Sequence, residues 1–358
     1  MSNKDKLTDE IFSVMEPIEE HISKSDRIRL WLSIDRDYRI AGKRNRIIKV
    51  FLQFLAASVG MAAAVVVGVF IYSEFVLNNS QEGGFGLQLV ADYSPEKCGE
   101  ISLVLPGDTV NVAENAKVTY TESTLSITSD GETHLRDIAA EDEIHKLFVP
   151  YGKIARLKLS DGTEIHLNAG SIVAFNAKMA GKSRILYLNG EAYLDVAHDE
   201  SRPFEVITDK MSVSVLGTSF DVKAYQDEEY QSVVLVSGRV KVGSERLDDD
   251  YVMSPNQRFT IDRSGGAEVK TVEAEDYVCW TTNFLKFRRS DIADVLSSLA
   301  RHYNADFVCD ETVKGLSITG NMDISGSLEN ALENLSIVSG ISYRKEKNGI
   351  YVITMLRR

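Results

Sequence analysis

The sequence predicts a single transmembrane helix behind a short basic segment, then an all-β domain built as a sandwich or a β-roll, then a small C-terminal α+β domain. Three observations carry this. Residues 50–72 are an uncharged apolar run, hydrophobicity alternates with period two through residues 87–265, and a strand–helix–strand pattern occurs twice in residues 284–357. With 358 residues, 44% hydrophobic and 26% charged, the chain has room for two or three domains and does not read as disordered.

The apolar run, VFLQFLAASVGMAAAVVVGVFIY, is 23 residues long. At about 1.5 Å per residue it reaches roughly 34 Å as a helix, enough to cross a hydrocarbon core of about 30 Å. Backbone groups in hydrocarbon must bond to one another, which requires a helix. A signal peptide would have a shorter n-region, and a buried soluble helix is rarely apolar on every side. Lys43, Arg44, Arg46 and Lys49 crowd the N-terminal flank, and beyond the run no Lys or Arg occurs until Lys97. The positive-inside rule therefore places residues 1–47 in the cytoplasm, the helix within 48–77 and the rest on the far side.

Charge follows the same division. The first 49 residues carry 11 Lys and Arg against 9 Asp and Glu, and the remainder 29 against 44. The formal net charge of −13 excludes a direct nucleic-acid binder, which needs clustered cations. Cys98, Cys279 and Cys309 give no disulfide framework and read as buried free thiols, with one bridge open to them in an oxidising compartment.

Within residues 1–47, Ile11, Met15, Ile18 and Ile22 fall at helical spacing, with Pro17 breaking or restarting that helix. Ser25 or Asp26 can cap a second helix carrying Ile28, Trp31, Ile34 and Tyr38. Ile28, Leu30, Leu32 and Ile34 also alternate as a strand would. So short a segment cannot bury a core alone, so its apolar face is expected to meet a partner.

Residues 78–147 read as a linker and a β-rich extension, and 148–265 as the β domain proper. Leu157 and Leu159 lead into the turn Ser160-Asp161-Gly162, and Ile165 and Leu167 leave it, a hairpin. A second hairpin is predicted at Asn189-Gly190, with further strands over 204–208, 212–216, 220–224, 233–236 and 239–242. Residues 101–112 resemble 155–167 as strand, turn, strand. In the last part, 280–358, Ser290 or Asp291 caps a helix facing inward with Ile292, Val295, Leu296, Leu299 and Tyr303. Ser327 caps another with Leu328, Ala331, Leu332, Leu335 and Val338. Strands at 285–287, 307–309, 341–343 and 350–354 complete the pattern.

Signatures of enzymes and metal sites are missing, so no cofactor is expected. The acidic runs Asp199-Glu200, Asp227-Glu228-Glu229 and Asp248-Asp249-Asp250 read as solvated loops. One junction stands out: Val215-Leu216-Gly217-Thr218-Ser219-Phe220 puts glycine inside strand sequence. Chemistry leaves two readings, a bulge, or a strained bond at which the Thr218 hydroxyl attacks the Gly217 carbonyl and the chain cuts itself.

Eight motifs then occur in order: Pro150-Tyr151-Gly152-Lys153, Leu159-Ser160-Asp161-Gly162-Thr163, Leu167-Asn168-Ala169-Gly170-Ser171, Gly190-Glu191-Ala192-Tyr193, Arg202-Pro203-Phe204, the junction at 215–220, Val236-Ser237-Gly238-Arg239-Val240, and Ser254-Pro255-Asn256-Gln257. Together they resemble the FecR family of transmembrane anti-sigma factors, and residues 284–357 resemble the companion C-terminal domain, similar to the secretin and TonB-receptor N-terminal fold. The resemblance implies an inner-membrane regulator whose cytoplasmic segment holds an extracytoplasmic-function sigma factor. Its periplasmic part would read the signalling domain of an outer-membrane TonB-dependent transducer and release the sigma factor to transcribe transport genes. It also implies possible self-cleavage, here at Gly217 and Thr218, and no other enzyme activity. Trp31, Leu32 and Ile34 are the candidate sigma contacts, as large apolar anchors on a short helix. The alternative is an envelope glycan-binding or scaffold protein, recognisable by a shallow aromatic surface from Tyr151, Phe175, Tyr187 and Tyr193.

Overall fold

Alternating burial along residue after residue builds the body of this protein. The computed structural model describes residues 87–90 and 99–356, apart from 115, 139, 141 and 248, and all of these fall in one compact unit. The apolar run at 50–72 and the candidate contacts Trp31, Leu32 and Ile34 lie outside the described residues. Among the described residues no helix is long and apolar enough to cross a membrane.

Among the described residues eighteen strands form one curled sheet that doubles over into two layers. The first hairpin is β1 (Ile101–Leu105) and β2 (Asp108–Val112), followed by the meander β3 (Lys117–Tyr120), β4 (Thr124–Ser129) and β5 (Glu132–Asp137), then β6 (Ile144–Val149). β7 (Ala155–Lys158) and β8 (Glu164–Leu167) form the predicted hairpin, Leu157 opposite Ile165. β9 (Ser171–Asn176) and β10 (Arg184–Asp195) come next, then β11 (Phe204–Ile207), β12 (Ser212–Val215), β13 (Ser219–Ala224), β14 (Tyr230–Ser237) and β15 (Val240–Gly243). β16 (Tyr251–Met253), β17 (Gln257–Asp262) and β18 (Ala267–Thr271) finish the sheet.

One layer runs β2-β1-β6-β9-β10-β11-β12-β15-β16, and the other β5-β4-β3-β7-β8-β10-β13-β14-β17-β18. A single core lies between them, with Leu103, Leu147, Phe175 and Leu186 from one layer and Leu157, Ile165, Leu194, Phe220 and Phe259 from the other. The strands of residues 101–149 join both layers. The two look-alike hairpins, β1–β2 and β7–β8, sit in opposite ones.

The hairpin predicted at Asn189-Gly190 does not form. β10 is one twelve-residue strand that passes from one layer to the other at that dipeptide. Leu186–Asn189 pair with β9, whereas Gly190 begins the pairing with β13. Gly190 takes φ +126°, and a Cβ there would lie 2.5 Å from the Ser171 Cα. The glycine serves a sharp crossing and a close backbone approach, which sequence cannot tell from a turn.

Nor is the chain β throughout 87–265, because residues 87–90 are helical. Val90 packs with Leu87 and Leu89 on the outer side of β9 and β10, against Ile172, Ala174 and Tyr187. Asn189 Nδ2 donates to the Val90 carbonyl at 3.3 Å.

Beyond the sheet, α1 (Glu275–Val278) and a 3₁₀ turn (Cys279–Thr282) lead into the C-terminal domain. There β19 (Phe284–Asp291) pairs with β21 (Ser317–Asp323), and β20 (Phe307–Cys309) and β22 (Ile341–Lys345) flank β23 (Tyr351–Met355). α2 (Ile292–Tyr303) is capped by Asp291 and α3 (Leu328–Ser339) by Ser327. Their inward residues form a second core, separate from that of the sheet. Val338, predicted on the buried face of α3, is 64% exposed, because the core ends one turn earlier at Leu335. β21 carries no signal strong enough for the sequence reading to have placed it. Cys279 and Cys309 are free thiols, part-buried rather than buried.

Candidate functional site

Two clusters gather most of the motifs. The first is the seam between the sheet and the C-terminal domain. Alternation puts Ala192, Leu194, Phe220 and Val222 in the core, so Glu191, Asp221 and Lys223 face outward from β10 and β13. A solvated face would be expected, but the C-terminal domain covers it. Arg301 on α2 is buried there. Its guanidinium lies 3.9 Å over the Tyr225 ring, pairs with Glu228, and approaches Asp227 Oδ2 to 3.7 Å. Glu228 also pairs with Lys223 at 2.9 Å, both half-buried, whereas Asp227 and Glu229 are exposed, so of the run Asp227-Glu228-Glu229 read as a solvated loop only Glu228 is drawn into the seam.

The motif residues build this seat. Gly152 N donates to the Arg301 carbonyl at 2.8 Å. Tyr225 Oη donates to the Ala169 carbonyl at 2.8 Å, and Asn168 Nδ2 to Glu191 Oε2 at 2.6 Å. Ser171 Oγ donates to the Glu191 carbonyl and accepts from its N–H. Asn256, left-handed at φ +62°, carries the chain onward: its carbonyl accepts from Val272 N and its side chain from Ala274 N. That brings Trp280 onto the seam, where Nε1 donates to Asp221 Oδ1 at 3.1 Å. Tyr230 Oη donates to Asp294 Oδ2 at 2.8 Å, a further tie to α2.

Burial drives the electrostatics. It pushes the Asp221 carboxyl well above the usual range, with the neighbouring Glu191 charge adding to it, and it raises Glu191 as well. Burial alone would lower Arg301, but Tyr225 and the carboxylates of Glu228, Glu191 and Asp227 reverse this and keep the guanidinium charged. Asp276 is pulled up by burial and further down by Arg288 and Lys286, so it stays ionised. The two domains are thus joined by a polar latch rather than a shared apolar core.

The second cluster surrounds Gly217–Thr218, between β12 and β13, where the register shifts at Ser219/Phe220. Val196 N donates to the Thr218 carbonyl and Asp199 N to that of Leu216. His198 lies between them and packs on Gly217, where a Cβ would meet its Cα at 2.8 Å. That loop is fixed by fully buried Arg184, whose Nη1 donates to Asp161 Oδ2 at 2.7 Å and to the Ala197 carbonyl at 2.8 Å, while Nε donates to the Arg202 carbonyl. Thr163 Oγ1 accepts from Ala197 N.

Thr218 is buried, and its Oγ1 donates to the Arg239 carbonyl at 3.0 Å and accepts from Arg239 N at 3.4 Å. The hydroxyl replaces a ladder partner at the bulge. Thr218→Ala would leave both Arg239 groups short of a partner, an expected loss of about 1–3 kcal/mol, seen as a lower midpoint in chemical denaturation. Thr218→Ser should keep most of it.

The proposed aromatic surface does not assemble. Phe175 is in the core against Tyr120 at 5.2 Å, and Tyr187 is covered by the helical turn at 87–90. Among the described residues no group of three His, Cys, Asp or Glu is placed to hold a metal. Sequence reasoning missed Arg301, Tyr225, Glu228, Asp221 and Trp280. A cation on the polar side of an amphipathic helix reads as solvated, and only the repeated motif glycines hinted that something packs close.

Residues 145–241 match the family described as FecR protein, and residues 284–352 match FecR, C-terminal. Comparison with curated proteins gives no match. Two crystal structures, at 2.50 and 1.65 Å, of a candidate anti-sigma factor from Parabacteroides distasonis ATCC 8503 are similar to this chain, each at 33% identity and a TM-score of 0.56. They cover 59% of this chain and 99% and 98% of their own. With both halves of the fold matched in order and the motif residues gathered at two sites, the chain belongs to the FecR family.

Proposed function

We propose that this protein is a single-pass inner-membrane anti-sigma regulator. In this reading residues 1–47 hold an extracytoplasmic-function sigma factor in the cytoplasm through Trp31, Leu32 and Ile34, and residues 48–77 cross the membrane. The C-terminal domain meets the signalling domain of an outer-membrane TonB-dependent transducer. The observation that carries the reading is the likeness to a candidate anti-sigma factor over nearly that protein's whole length. The basic flank before residue 50 supports the topology.

A receiving surface is available on the C-terminal domain. Among the described residues β20 and β22 each pair on one side only, with β23, and Val308 on β20 is 51% exposed. A strand from a partner can extend such an edge. The latch at Arg301 then offers a route inward, since whatever moves α2 moves the motif residues beneath it. Deleting residues 284–358 is expected to abolish the transcriptional response to the inducing ligand; a normal response would contradict the receiving role.

Self-cleavage at Gly217–Thr218, next to the register shift at Ser219/Phe220, is a second proposed activity. Thr218 Oγ would attack the Gly217 carbonyl carbon, the C–N bond would break, and the hydroxyl proton would pass to the freed amine. Water would then hydrolyse the ester. The bond from Oγ1 to the Arg239 carbonyl must open first. On immunoblots, wild type and Thr218→Ser should give two bands and Thr218→Ala one; a single band for wild type would dispose of the idea.

A further inference from the structure

A cavity of about 270 Å³ lies in the seam beside the latch. Small-molecule sites start at about 300 Å³, so it has room for one compact ligand. Its cations are unevenly matched. Lys286 and Arg288 are held by Asp276, and Arg301 by Glu228. Two guanidinium groups on the wall, Arg258 from β17 and Arg289 from β19, make no hydrogen bond or ion pair through their side chains among the described residues.

Arg258 is fixed through its side chain, and Arg289, whose side chain is exposed, through its backbone. Arg258 is wedged between two rings, its central carbon 5.4 Å from the Tyr230 centroid and 5.2 Å from that of Tyr277, and its Nε is buried without an acceptor. Arg289 sits at φ +53° where β19 shifts register between Phe287 and Ser290, its N–H held by Thr319 Oγ1 at 2.9 Å. A non-glycine residue is kept in that conformation only where its surroundings over-determine it, and bulges of this kind re-aim a side chain.

Asp221 attracts Arg258 electrostatically, but no hydrogen bond or ion pair joins an acid to either guanidinium among the described residues. Asp294 is taken by Tyr230 and Asp221 by Trp280, and burial pushes Asp221 and Glu191 toward the neutral acid. The buried Nε of Arg258 is unfavourable without an acceptor, and the planar fork of a guanidinium matches a carboxylate. Tyr277 and Leu285 add apolar surface to the wall.

We propose that this cavity binds a small organic carboxylate, its oxygens held between Arg258 and Arg289 and its carbon body against Tyr277 and Leu285. Because the two arginines come from different domains, such a ligand ties the C-terminal domain to the sheet. The site stands independently of the sigma-factor reading.

Calorimetric titration of the full-length protein in detergent with benzoate, acetate and inorganic phosphate tests it. Benzoate should bind and acetate more weakly. Arg289→Gln, on an exposed side chain, should weaken benzoate about tenfold or more, as should Arg258→Gln. If Arg258→Gln does not fold, Arg289→Gln decides alone. No heat with benzoate, unchanged affinity in Arg289→Gln, or binding of phosphate in preference to benzoate would overturn the proposal.

Discussion

Replacing Arg301 by Ala is expected to lower stability by about 3–5 kcal/mol and to split unfolding into two transitions. The loss is not that of one ion pair. Glu228 would keep only Lys223 as a cationic partner, and the Tyr225 ring would lose the guanidinium stacked on it. Since the two apolar cores share no residues, little besides Trp280 and the remaining polar contacts of the seam would hold the domains as one cooperative unit. Calorimetry of wild type should show a single main transition for residues 99–356, and Arg301→Ala two, the lower one belonging to the smaller domain. A lysine at this position should recover only part of the effect, because it lacks the planar fork and stacks less well.

Gly190→Ala should be comparably damaging, about 3–5 kcal/mol, for a different reason. Two costs combine: the φ of +126° is open almost only to glycine, and the added Cβ would run into the Cα and Cβ of Ser171 as well as its Oγ, so turning the hydroxyl away would not relieve it. Both strike at the residue where β10 changes layers, so the sheet cannot yield locally. Gly107→Ala, in the β1–β2 turn at φ +78° with nothing within 4 Å of the new atom, carries the backbone cost alone and should lose about 1–3 kcal/mol at most. Denaturant midpoints of the two variants should therefore differ clearly; equal midpoints would mean the close approach at Ser171 is not what the glycine serves.

The same residues mark what was legible in the sequence. The hairpin at Asp161-Gly162, the caps at Asp291 and Ser327, and the apolar faces of α2 and α3 up to Leu335 all depend on neighbours a few positions away, and periodicity reads them. The crossing at Asn189-Gly190 failed because its cause, the Ser171 backbone, lies 19 residues off in sequence. The buried charges failed for a related reason. Glu191, Asp221 and Lys223 occupy the outward phase of their strands, and alternation assigns that phase to water. Only a second domain, packing from residues 275 onward, removes the water. The Gly217–Thr218 junction was visible as an irregularity, but the bracing by Arg184 and the bonds to Arg239 were not, since they draw on four distant turns. What the motifs share became clear only in three dimensions: those at 150–153, 167–171 and 190–193 seat Arg301, and those at 159–163, 202–204 and 236–240 frame Thr218.

The proposed sigma-binding role of residues 1–47 is tested most directly by one measurement: co-purification of the full-length protein with the extracytoplasmic-function sigma factor encoded beside it. A stable complex that Trp31→Ala with Leu32→Ala abolishes, without loss of the membrane-inserted protein, is the predicted result. Failure of wild type to retain a folded sigma factor would contradict the anti-sigma assignment, while leaving the family, the doubled-over sheet and the Arg301 latch in place.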